Sequence, residues 1–71
     1  MDITKIFSNQ VKKFRQEINL SQEKLALKAG LDRTYIASIE NKKRNVSIKT
    51  ARQIANALNV DICTLLNEKN K

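Results

Sequence analysis

Histidine, proline and tryptophan are missing from this chain, glycine and cysteine occur once each, and aromatic residues make up only 4%. Each shortage closes off something. Without histidine there is no Ser–His or Cys–His pair to activate a nucleophile. One cysteine and scattered carboxylates form no cluster that would hold a metal ion. No glycine-rich loop is present to cradle a nucleotide phosphate. The inventory therefore points away from an enzyme, and neither a cofactor nor a small-molecule ligand is expected. Lack of proline, with so little glycine and aromatic content, favours helices over a sandwich or barrel. Cys63, being alone, cannot close an internal disulfide, which makes a reducing cytoplasm the expected location. No apolar run reaches membrane-spanning length, and the opening residues MDITKIFSNQ do not read as a secretory signal, so no membrane is expected as a partner.

What is abundant is positive charge. Lys and Arg total 14 against 7 Asp and Glu, a formal net charge of +7 on 71 residues. That excess suits a polyanionic partner, with a solvated basic surface as the plain alternative. The length predicts a single domain over residues 1–71, with a small core.

Apolar periodicity places five helices. In the first, Ile3, Phe7, Val11, Phe14 and Ile18 recur at three- and four-residue steps, with Lys5, Lys12, Lys13 and Gln16 turned away. Asn19 ends it and Leu20 docks the connection. Ser47 caps a fourth helix that buries Ile48, Ala51, Ile54, Ala55 and Leu58 and stops at Asn59. Asp61 caps a short fifth helix, about residues 61–67, containing Ile62, Leu65 and Leu66. The fold class is all-α, a compact five-helix bundle.

Between them, SQEKLALKAGLDRTYIASIE (residues 21–40) reads as two short amphipathic helices around a turn. Ser21 caps the first and Asp32 the second. Lys24 stands where a capping box needs Glu or Gln, so the Ser21 cap is simple. Glu23 suits the positive end of the helix. Gly30 fits a left-handed backbone at the close of the first helix, and Ala26 is small enough for the second to cross closely. Leu25, Ala29, Leu31, Ile36 and Ile39 face inward. The geometry is a helix-turn-helix, whose second helix can enter a DNA major groove.

With Ile36 and Ile39 inside, Thr34, Ala37, Ser38 and Asn41 fall on the opposite face and Arg33 on its amino-terminal flank. Arg33 is the candidate for a bidentate contact to guanine, Thr34 for a hydroxyl or methyl contact to a base, and Ser38 for a base or a phosphate. The competing reading is that Arg33 and Thr34 are ordinary solvated first-turn residues. Gln22, at a helix start, could donate to a phosphate or be a surface glutamine. From Asn41 to Arg52 the chain carries Lys42, Lys43, Arg44, Lys49 and Arg52 with no acidic residue. Some of these would hold the DNA backbone, and Arg44 and Asn45 would be within reach of a groove. Tyr35 either puts its hydroxyl on a phosphate or lies mostly in the core. Glu40 ends the second helix of the motif toward its inner side, where pairing with Arg15 is the structural reading and two free surface charges the other. Ile62, Leu65 and Leu66 exceed what one small core needs and are candidates for a dimer interface, with intramolecular packing as the alternative. Cys63 among them reads as a small packing residue.

The run SQEKLALKAGLDRTYIASIENKKRNVSIKTARQIANALNV resembles the Cro/CI-type helix-turn-helix family of phage repressors and bacterial regulators. Within it, LDRTYIASIENKKRNVSIKT is most similar to the controller proteins of restriction–modification systems. The resemblance implies a lambda-repressor-like fold and a homodimer, joined through its C-terminal helices, on double-stranded DNA with a symmetric operator. It implies activation or repression according to occupancy, with RNA polymerase as a candidate partner. By the same resemblance, Arg33, Thr34 and Ser38 contact bases, while Gln22, Tyr35, Asn41 and Asn45 hold the backbone. Arg44 matches a DNA-contacting loop residue, and Arg15 with Glu40 an internal ion pair. Lys42 departs from the loop glycine often found after Glu-Asn, and Ala37 stands at a position that varies among relatives. Other readings are a phage-type repressor, an antitoxin-like interaction module, or a general basic nucleic-acid coat protein. The short polar tail NEKNK speaks against an antitoxin that must wrap its partner.

Overall fold

The computed structural model of the protein describes residues 3–42 and 46–66. These form α1 (Ile3–Glu17), α2 (Gln22–Ala29), α3 (Arg33–Glu40), α4 (Ile48–Leu58) and α5 (Ile62–Leu65). Every helix sends its apolar stripe to one core. Phe7 and Val11 come from α1, Leu25, Ala26 and Ala29 from α2, and Ile36 and Ile39 from α3. Ala51, Ile54, Ala55, Ala57 and Leu58 of α4 and Leu65 of α5 complete it. Helix α2 lies between α3 and α4, and α1 packs across α3, α4 and α5. The layout exposes one side of the α2–α3 pair.

The helix ends follow local chemistry. Ser21 Oγ accepts from the Lys24 N–H, Ser47 Oγ from Thr50 and the Asp61 carboxylate from Cys63, each satisfying an N–H that the helix leaves open. Gly30 takes the left-handed conformation at φ 72°, and the Leu31 N–H reaches back to Ala26 O at 2.8 Å. A Cβ added at Gly30 would sit 3.8 Å from Gln53 Nε2, an ordinary contact, so backbone conformation and not space demands glycine here. Gln53 of α4 also donates to Ala29 O at 3.0 Å, which ties the helix-turn-helix to the next helix. Asn59 closes α4 in the left-handed region at φ 61°.

Five residues depart from expectation. Asp32 occupies the cap position of α3, but its side chain makes no capping bond. The Tyr35 N–H that such a cap would use goes to the Asp32 backbone carbonyl at 3.0 Å. Ile3 and Ile48, expected inside, are 53% and 61% exposed. Each is the first residue of its helix, where the side chain tilts toward the amino terminus and past the edge of the core. Ile18 is 49% exposed because α1 stops at Glu17 and the backbone turns left-handed at Asn19. Cys63 is exposed and does not pack.

Candidate nucleic-acid interface

Helix α3 divides into two faces. Inward, Ile36 and Ile39 are fully buried and Glu40 is 6% exposed. Outward, Arg33 and Thr34 lie exposed in the first turn, Ala37 and Ser38 are half-buried one turn on, and Asn41 is exposed past the end. Arg33 also borders a shallow cleft with Glu23, Ala26, Leu27, Leu31 and Asp32, where α2 and α3 meet. Among the described residues its guanidinium forms no ion pair, so the leading end of α3 offers donors and a hydroxyl to whatever approaches. Tyr35 is half-buried with its ring against the core.

The trailing end of α3 is tied down. Arg15 Nε and Nη2 donate to the two oxygens of Glu40 at 2.6 and 2.9 Å, and Arg15 Nη1 donates to Leu20 O at 2.7 Å. The side chains of the pair are 11% and 3% exposed. One more residue joins this group. Gln22, a candidate for a phosphate contact or a plain surface glutamine, donates from Nε2 to Glu40 Oε1 at 3.1 Å. The end of α1, the start of α2 and the end of α3 are thereby joined through one buried carboxylate.

Of the basic segment, Lys42, Lys49 and Arg52 are exposed. Lys43, Arg44 and Asn45 lie outside the described residues. Lys42 adopts a left-handed backbone at φ 63°, with its N–H on Ile39 O at 3.0 Å. The sequence signal for that turn was the place of Lys42 directly after Glu-Asn.

At the C-terminal end the expectation for Leu65 is corrected. It is 0% exposed and belongs to the core of its own chain, because α5 turns it inward to close the bundle. Ile62 and Leu66 are half-buried against that core and keep part of their surface outside.

The Helix-turn-helix family matches residues 11–65. Control protein C.SmaI of Serratia marcescens is 48% identical over 66 residues, covering 93% of this chain and 79% of that protein. Control protein C.MunI of Mycoplasma sp is 44% identical over 71 residues, covering 99% of this chain and 96% of that protein. The restriction–modification controller protein C.Esp1396I, solved as a tetramer with its natural 35 base-pair operator, superposes with a TM-score of 0.85 at 38% identity. That match covers 92% of this chain and 86% of the other. The chain belongs to the helix-turn-helix family of transcription regulators and, along almost its whole length, is similar to the control proteins of restriction–modification systems.

Proposed function

We propose that this protein is the controller of a restriction–modification operon, a homodimer that places α3 of each protomer in a major groove of a two-fold symmetric operator. The observation that carries the reading is the division of α3: a fully buried Ile36–Ile39 face behind, and Arg33 and Thr34 exposed at the leading end. A net charge of +7 supplies the long-range attraction to DNA. The operator-bound tetramer of C.Esp1396I supports the same mode of assembly here. Arg33, Thr34 and Ser38 read bases. Gln22, Tyr35, Asn41, Lys43, Arg44 and Asn45 hold the phosphates on either side, and the Arg15–Glu40 pair fixes the helix that does the reading. Protomers meet at the outer surfaces of Ile62 and Leu66, with half-sites about one turn, roughly 10 bp, apart. Such a regulator works in the cytoplasm, and where occupancy activates, RNA polymerase is its partner.

The test is discrimination and not affinity alone. Arg33→Ala should lower the preference for the operator over a scrambled duplex by about 1–3 kcal/mol while leaving non-specific binding nearly unchanged. Equal base preference in the variant and the parent would remove Arg33 from the reading surface.

A further inference from the structure

We propose that Glu40 is a positioning residue for the phosphate contact of α2, acting through the carboxamide of Gln22. The inference rests on the DNA-binding role just proposed. Glu40 is buried, with a side chain 3% exposed, yet its carboxylate takes three donors, two from Arg15 and the third from Gln22 Nε2 at 3.1 Å. Arg15 alone satisfies the charge. What the third contact adds is orientation.

A carboxamide has one donor end and one acceptor end of nearly the same shape. Left to itself, Gln22 could offer its carbonyl oxygen to an approaching phosphate, and two acceptors repel. Glu40 accepts only. It holds the nitrogen end of Gln22 at the opening of α2 and leaves the second N–H of that nitrogen available. The same opening carries backbone N–H groups that an α-helix does not use: Ser21 Oγ takes the one from Lys24, and those of Gln22 and Glu23 have no intrahelical acceptor. Gln22 is half-buried, so its amide has a solvent side. A single carboxylate therefore locks the reading helix to α1 and sets the polarity of the neighbouring helix toward the DNA backbone. It does so as a negative charge beside a polyanion, neutralised in place by Arg15.

The experiment compares four proteins: wild type, Gln22→Met, the double variant Arg15→Met/Glu40→Met, and the triple variant. Exchanging a buried ion pair for apolar side chains of similar size commonly leaves stability intact, and here the net charge does not change. Thermal melting checks the fold, and fluorescence titration with operator and scrambled duplex over a range of salt concentrations reads the binding. The double variant should bind both duplexes about tenfold more weakly, the worth of one hydrogen bond to a charged acceptor. The salt slope should stay the same, since no cation is lost at a phosphate. In the Gln22→Met background the same double exchange should cost nothing more.

Wild-type affinity in the double variant overturns the proposal, as does an equal loss with and without Gln22, which would mean that the pair acts on α3 alone. Wild-type affinity in Gln22→Met overturns it as well. A wild-type protein that binds no duplex removes the proposed function and this inference with it, a result separable from the others because it appears before any substitution. A second measurement needs no variant. One Nε2 proton of Gln22 should exchange slowly in the free protein and both should do so once operator is added. Fast exchange of both protons in the complex would overturn the assignment.

Discussion

Helices α2 and α3 are each eight residues long and lie side by side, but they are built on different terms. Helix α2 has a hydroxyl cap from Ser21 at its start and glycine in the left-handed position at its close. Helix α3 starts at Asp32 without a side-chain cap, and the left-handed residue that follows it, at φ 63°, is Lys42. Local chemistry defines α2. Tertiary contact defines α3, through Ile36 and Ile39 at 0% exposure and the Glu40–Arg15 pair. The difference suits a helix that must present its leading end to a partner. Groups spent on capping are no longer available outside, so anchoring is moved to the inner face and the far end.

The contrast can be broken most forcefully at Ile39. Ile39→Ala should cost about 2–5 kcal/mol of unfolding free energy in a urea titration, because it empties the contact on which α3 depends. A loss below about 1 kcal/mol would show that α3 holds itself together locally. At the helix starts, Ser21→Ala should cost about 1 kcal/mol, whereas Asp32→Ala should change stability by less than about 0.5 kcal/mol. Equal costs in the same thermal-melting series would erase the distinction between the two openings. The last change has the opposite sign. Lys42→Gly should stabilise by about 0.5–1 kcal/mol, the relief of a left-handed backbone less the greater freedom of an unfolded glycine. A lower melting temperature in that variant would mean that the lysine side chain contributes more to the fold than its backbone conformation costs.

Much of this architecture was legible because its signals are local. Ser21, Ser47 and Asp61 stand directly before apolar periodicity, and Gly30 and Asn59 directly after it. The phase of Ile36 and Ile39 fixed which side of α3 faces out, and with it the exposure of Arg33 and Thr34. The misreadings have equally physical origins. Spacing identifies a stripe but not where the core ends, and Ile3, Ile18 and Ile48 lie on the stripe yet outside the core. Periodicity cannot say whether a leucine in a four-residue helix closes its own core or a neighbour's, which is how Leu65 was misplaced. The Asp32 cap failed through competition for one N–H. The Gln22–Glu40 bond joins residues 18 apart in the chain and has no repeat or motif to announce it.

The packing of α1 on α5 bears on how the bundle closes. Gln10 Nε2 donates to Thr64 O at 3.1 Å, a bond spanning 54 positions. Helix α1 cannot complete its surroundings until the segment that carries Thr64 has left the ribosome. The first helix made therefore waits for the last of the five described, and the bundle closes only once α5 has arrived.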